Sequence, residues 1–307
     1  MKVRQRVVRA LIYYGTQAVV HLFGVFPLGI DAWLGARLGR AAYHILRSER
    51  EKGIKNILRA FPERDDGWAR RQLKRSFEGF GISVMELIKL DTIVGRMDSY
   101  ITVENFEVFE AAERKGKGIV WITGHIGNWE LMPVYFAQKG YRTYVVAKEL
   151  YDPRMDSLTN GLRERYRVHP VLRGSPGAGK KILRALRSNA ILGMLIDQDT
   201  DVQGVFVRFF GDTAFTPRGA ADLAMKAGAS VVAGFITRTG PGHHVIRLYG
   251  PIMPERTSTY EDDVVSLTQS MTDYIERHIR QHPSDWVWMH SRWARRPPEG
   301  NTPPPVP

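Results

Sequence analysis

A histidine five residues ahead of a glutamate, where an apolar run meets a glycine-containing turn, is the pairing in this sequence with the clearest chemistry. It lies in Gly118–Leu131 (GIVWITGHIGNWEL), where His125 precedes Glu130. A neutral imidazole held in one tautomer by a carboxylate takes a proton from a hydroxyl and so turns its oxygen into a nucleophile. On one straight helix the two side chains would stand roughly 140° apart, at about 100° per residue. With His125 in a turn and Glu130 in the first helical turn, the carboxylate can fold back onto the imidazole. The spacing alone leaves a second reading open, in which His125 caps a helix and Glu130 faces solvent.

The flanking pattern supplies the elements that would hold such a pair. Gly118–Thr123 reads as a buried strand, and Asn128 is a plausible N-cap for a helix that follows. Similar apolar runs recur at Thr143–Ala147, Ile191–Ile196, Ser230–Ile236 and His244–Tyr249, with helical stretches between the first four. This alternation predicts an α/β fold with a mostly parallel central sheet flanked by helices. Ligands of such sheets bind beyond the carboxyl ends of the strands, where the His125 turn falls. Residues 50–100 read as helices, and a last helix is expected over Asp262–Gln281. No repeat or linker interrupts 49–296, which reads as one domain.

Other residues at strand ends and helix faces invite a role. Asp197 and Gln198 close an apolar strand, and either bind sugar hydroxyls, hold arginines, or serve structure alone. Arg154, Arg163 and Arg165 follow the second strand, and an arginine fork suits a phosphate. A solvated basic helix face is the plain alternative. Trp286, Trp288 and Trp293, with His290 and Arg292, form either a membrane-interface cluster or ordinary packing. Thr216 reads as an N-cap before Pro217. Two apparent motifs are set aside. His243 and His244 are adjacent on a strand and point to opposite faces, and no metal site is expected. GSPGAGK at Gly174–Lys180 matches the phosphate-loop count, but Lys181 stands where a hydroxyl for magnesium belongs.

Around His125 the sequence resembles a known family. GHIGNWE is similar to the H-x4-E/D block of the glycerolipid (lysophospholipid) acyltransferase superfamily, and closer to the HFGNWE signature of the late lipid A acyltransferases, the lauroyl and myristoyl transferases. Further blocks agree in order: NILRAFPE at Asn56–Glu63, DPRMDSLTNGLRERYR at Asp152–Arg167, LIDQD at Leu195–Asp199, GVFVRFFG at Gly204–Gly211, AFTPRGAADLAMKAGASVV at Ala214–Val232 and WVWMHSRW at Trp286–Trp293. The resemblance implies an enzyme in which His125 is the base and Glu130 its acidic partner. A hydroxyl of a lipid A precursor or similar glycolipid would attack an acyl thioester directly, without an acyl-enzyme. It also implies Arg163, or its rivals Arg165, Arg154 and Arg167, near the acceptor's phosphate. The developing oxyanion needs donors, which backbone amides at the start of the Asn128 helix or an arginine would supply. The donor would be acyl carrier protein or a coenzyme A thioester, with no further cofactor. Ile126 replaces the family's first aromatic residue and the arginine block is loose, which keeps other acceptors open: a phosphatidylinositol mannoside, an ornithine-type lipid or a lysophospholipid.

Composition agrees with a lipid-facing protein. The 307 residues carry 44 Lys+Arg against 32 Asp+Glu, a net charge of +12, and no cysteine. Disulfides, cysteine-ligated metals and thiol nucleophiles are thereby excluded. The charge suits an anionic membrane face, a phosphorylated substrate or nucleic acid. Lys and Arg are spread along the whole chain, so a nucleic-acid-binding protein is the remoter reading. Residues 1–48 begin with a basic stretch and a run of 21 residues, Ala10–Ile30, free of acidic and basic side chains. They are expected to be membrane-anchoring or interfacial helices at the cytoplasmic face of the inner membrane. The Pro-rich residues 297–307 are expected to be a disordered tail.

Overall fold

The computed structural model describes residues 28–150 and 152–297, with Tyr13–Gly15, Gln17 and Leu22 before them. Nearly half of the expected N-terminal anchor, residues 1–48, and nearly all of the Pro-rich tail lie outside these residues. Helices α1 (Leu28–Ile45), α2 (Arg47–Ala60), α3 (Asp66–Ile88), α4 (Leu90–Val94) and α5 (Met97–Tyr100) precede the sheet. Then come β1 (Ile101–Glu104), α6 (Phe106–Glu113), β2 (Ile119–Thr123), α7 (Leu131–Gln138), β3 (Thr143–Ala147), α8 (Pro153–Arg165), β4 (Val168–Leu172), α9 (Ala178–Arg187) and β5 (Ile191–Leu195). A hairpin of β6 (Gly204–Phe209) and β7 (Asp212–Pro217) leads to α10 (Gly219–Ala227), β8 (Ser230–Gly240), β9 (His243–Ile252) and α11 (Tyr260–Gln281).

Seven strands form one sheet in the order β1-β9-β8-β2-β5-β3-β4. β8, β2, β5, β3 and β4 run parallel, β9 runs against β8, and β1 follows β9. All five residues of β2 are buried, as expected of a strand covered on both faces. One face packs on α1–α3, α9, α10 and α11 through Phe77, Leu73, Leu186, Ala221 and Met271. The other packs on α4–α7 through Ile93, Phe109, Leu131 and Phe136. The sheet is tightest where Trp121 lies across Gly234, whose added Cβ would stand 2.0 Å from the indole.

Three features depart from the sequence expectations. β1 and β4 sit at the two sheet edges, and β4 keeps Pro170 within the strand, which an edge allows. The hairpin β6–β7 turns on Phe210 and Gly211, both with positive φ, in the manner of a two-residue turn. Thr216 lies in β7 and does not cap a helix, because α10 begins at Gly219 after Arg218. No helix among the described residues is long and apolar enough to cross a membrane. The helix α1 packs along α3 at Gly35, Gly39 and Gly81, and an added Cβ on Gly39 would meet the Phe77 carbonyl at 2.1 Å. Its outer side keeps Trp33, Leu38 and Ile45 exposed.

Candidate active site

The register of β2 on β5 builds the site. Thr123 pairs with Leu195 at the carboxyl edge of the sheet. Two residues on, His125 and Asp197 therefore stand side by side. Asp197 Oδ1 accepts from His125 Nδ1 at 2.9 Å, and Oδ2 accepts from the His125 amide at 2.7 Å and from Trp286 Nε1 at 2.8 Å. The Asp197 carboxylate is fully buried, yet both oxygens are satisfied, which is the condition for keeping a charge inside. With a carboxylate on Nδ1, the imidazole proton stays there and Nε2 is left as the basic nitrogen. A quarter of the His125 side chain is exposed, toward a cavity that it lines. Burial works against the imidazolium, but the Asp197 charge and hydrogen bond, joined by the Glu130 charge, outweigh it and raise His125 above 6.5. Burial likewise opposes ionised Asp197, and the His125 contact overrides it and holds the carboxyl far below its ordinary range.

Glu130 is not the group that bonds the imidazole. It receives Arg163 as a bidentate pair, Nη2 to Oε1 at 2.6 Å and Nε to Oε2 at 3.0 Å. Arg163 also donates from Nη1 to Asn160 Oδ1 at 3.1 Å. Local spacing pointed to Glu130, whereas the partner comes from the next strand, 72 residues away in sequence. Asp197 was visible in the sequence as an acidic strand end; the signal for its contact was the register of two apolar strands, which spacing does not carry.

Asn128 departs further from expectation. The helix α7 starts at Leu131 with no side-chain cap, and buried Asn128 points away from the cavity. Its Nδ2 donates at 2.9 Å to Glu86 Oε2, a buried carboxylate on α3. Glu86 also accepts from Arg238 Nη2 at 2.6 Å, His244 Nε2 at 2.8 Å and the Tyr100 hydroxyl at 3.0 Å. Burial opposes its charge, but His244 and Arg238 prevail and hold its pKa at about 2. The turn is clamped elsewhere too. The amide of Gly127 donates to the Asp285 carbonyl, the amide of Val287 donates to the His125 carbonyl, and Ile126 bridges to Trp286. Gly127 has φ +57°, and a Cβ there would stand 2.1 Å from the Ile236 carbonyl, so glycine is required at this point.

The C-terminal cluster is interior packing and not a membrane belt. Trp286 and Trp288 are fully buried, and Arg292 is buried with its guanidinium on the Thr216 hydroxyl at 2.6 Å and above the Phe209 ring. Burial lowers Arg292 to about 10 and His290 to about 4, so His290 is neutral beside the pair at His125.

The cavity that His125 faces measures about 730 Å³, within the range of small-molecule sites. Its lining mixes apolar side chains, among them Val171, Ile182, Met194, Ile196, Val202 and Leu223, with the polar His125, Glu130, Asn160, Arg163 and Gln198. A narrow apolar slot of about 50 Å³ opens beside Glu130 and Arg163, between α7 and the sheet. Of the predicted residues, His125, Glu130, Arg163 and Gln198 meet at this cavity. Arg154 and Arg165 line a separate shallow groove, paired to Asp152 at 2.8 Å and Asp91 at 2.9 Å.

Fold and site together define an α/β protein with a carboxylate-oriented histidine over an amphiphilic cavity. The chain belongs to the bacterial lipid A biosynthesis acyltransferase family, whose model matches residues 1–295. It is similar to the lipid A biosynthesis lauroyltransferase of Escherichia coli K12, 26% identical over 290 residues covering 91% of this chain and 90% of that one. The palmitoleoyltransferase of the same organism is 23% identical over 94% of this chain and 92% of its own. A phosphatidylinositol mannoside acyltransferase of Mycobacterium tuberculosis is 26% identical over 207 residues, 67% of this chain. That match spans 61% of the mycobacterial protein's length.

Proposed function

We propose that the chain transfers a fatty acyl group from a thioester donor to a hydroxyl of a glycolipid, with His125 as general base. The observation that carries this is the free nitrogen of an Asp197-oriented imidazole facing a cavity lined by both apolar and polar side chains. His125 Nε2 takes the hydroxyl proton as the oxygen attacks the thioester carbonyl. The tetrahedral intermediate then expels the thiolate, which recovers the proton from the imidazolium. Asp197 stabilises that imidazolium without itself becoming protonated. Glu130 adds negative charge near His125 and anchors Arg163 in the cavity wall.

A lipid A precursor or similar glycolipid is the acceptor favoured by the family match. A phosphatidylinositol mannoside is the second reading, supported by the mycobacterial relative. The donor is an acyl carrier protein or coenzyme A thioester, which supplies the sulfur leaving group in a chain without cysteine. Membrane contact falls to the exposed apolar side chains of α1 and α3. Leu38, Ile45, Phe80 and Val84 project from a shared flank of these antiparallel helices, and Phe80 stacks on Trp129 at the cavity's edge. With the basic residues of α1, this suits an interfacial position on the anionic inner face of the cell membrane.

Two expected results follow. The base must be neutral to act, so the rate rises with pH through the His125 pKa, above 6.5, and levels off beyond it. A rate that falls as pH climbs through that region contradicts the role. Mass spectrometry of lipids from cells with and without the gene is expected to show one glycolipid losing one acyl chain. An unchanged lipid profile contradicts the proposed activity.

A further inference from the structure

Helix α8 turns a polar stripe toward the large cavity. It is capped by Asp152 and starts at Pro153. Asp156, Thr159, Asn160 and Arg163 then fall on one helical face, and all four line the cavity. Three of them are joined in a fixed order. Asn160 Nδ2 donates to Asp156 Oδ2 at 3.0 Å, and Asn160 Oδ1 accepts from Arg163 Nη1 at 3.1 Å. A carboxylate only accepts and a guanidinium only donates, so the Asn160 amide has a single orientation. The chain of bonds continues through Arg163 to Glu130, whose charge acts on His125.

This stripe has hydrogen-bonding capacity left over. A carboxylate accepts about four hydrogen bonds, whereas Asp156 receives Asn160 and, on Oδ1, the Leu150 amide at 2.9 Å. Arg163 gives its fork to Glu130, and among the described residues no cation is ion-paired to Asp156. Asn160 keeps one N–H and one lone pair. Gln198 and Gln203 line the same cavity, and among the described residues their side-chain amides have no hydrogen-bond partner. Trp129 lines it too, with its ring 4.9 Å from that of His125, and offers an apolar surface beside the base. Hydroxyls both donate and accept, so a group bearing several of them satisfies a carboxylate and amides together. An acyl chain satisfies neither, and an anion meets the unpaired charge of Asp156.

We infer that Asp156, Asn160 and Gln198 form a subsite for the hydroxyls of a sugar ring of the acceptor. This deepens the proposed function and rests on it for the choice of a sugar among hydroxyl-bearing groups.

Binding titrations of the full chain test the subsite without turnover. The probes are decyl glucoside and decyl tetraethylene glycol ether, each below its micelle concentration, and coenzyme A, whose hydroxyls are the other source of this chemistry. The wild type is expected to prefer the glucoside to the ether about tenfold, as hydrogen bonds to a charged group would give. Asp156→Ala is expected to lose that preference while binding the ether as the wild type does, which shows the cavity intact. Gln198→Ala is expected to weaken it severalfold, and it carries the test if Asp156→Ala does not fold. Glu164→Gln, exposed on the same helix outside the cavity lining, is expected to leave it unchanged. The subsite is overturned if the wild type shows no preference, if a folded Asp156→Ala keeps it, or if coenzyme A binding alone responds to that change. Where Asp156→Ala does not fold, an unchanged preference in Gln198→Ala overturns it. A wild type that transfers no acyl group yet shows an Asp156-dependent preference contradicts the proposed activity and leaves the subsite standing.

Discussion

Replacing Asp197 by asparagine is expected to lower the turnover of acyl transfer by about 10³–10⁴ while the protein stays folded. Two donors, the His125 amide and the Trp286 indole, both point at Asp197 Oδ2. An asparagine in this place must set its oxygen there and turn its amino group toward His125 Nδ1. Nδ1 then becomes an acceptor, the ring proton moves to Nε2, and the nitrogen that faces the cavity is no longer a base. In the serine-protease triad the same exchange costs about 10⁴ for the same reason, and positioned general bases contribute about 10²–10⁴. The acid limb of the pH profile is also expected to shift down, because the variant lacks the charge that raises His125. Steady-state kinetics with circular dichroism checks this. A fall of less than tenfold in a folded variant would mean that Asp197 does not set the tautomer.

Glu86→Ala is expected to have the largest effect on stability, about 3–5 kcal/mol, because it leaves buried cationic and polar partners without their acceptor. Arg238, His244, Tyr100 and Asn128 all converge on this carboxylate from four different parts of the chain. Such a loss is a large share of the total stability of about 5–15 kcal/mol expected for a domain. Urea unfolding is expected to show a lower midpoint with little change in slope. The sign with pH is fixed by the lowered pKa of Glu86, about 2 against 4.5. Its contribution is fully present above 4.5 and is lost as pH falls from there toward 2. Because Asn128 belongs to the His125 turn, the variant is also expected to lose turnover under conditions where it remains folded. An unfolding midpoint equal to the wild type's would contradict the assignment of this network.

Strand–helix alternation made the central strands and the helices between them legible in the sequence. β2, β3, β5, β8 and the core of β9 all fall on apolar runs. The elements that escaped were those whose pattern is weak for a physical reason. Edge strands such as β4 tolerate His169 and Pro170 because one side has no ladder to satisfy. The β6–β7 turn uses Phe210 at φ +55°, where composition would place asparagine or glycine. For the site, His125 and its turn were legible because glycine spacing and a strand end are local signals. The long-range partners were not, since Asp197 reaches His125 through sheet register and Glu86 reaches Asn128 across 42 residues. Local spacing favoured Glu130 as the imidazole's partner, while Arg163 offered it a bidentate geometry in the fold. The tryptophans of WVWMHSRW carried the composition of a membrane belt, and only packing showed Trp286 and Trp288 to be interior.

The most direct measurement is acyl transfer by the purified full chain, reconstituted with a defined acyl thioester and a glycolipid acceptor, with products weighed by mass spectrometry. The mechanism predicts one new ester on the glycolipid with the wild type. It also predicts a loss of at least 10² in rate for folded His125→Ala, in line with a positioned general base. Near-normal turnover by His125→Ala, or a glycolipid left unchanged by the wild type, would contradict it.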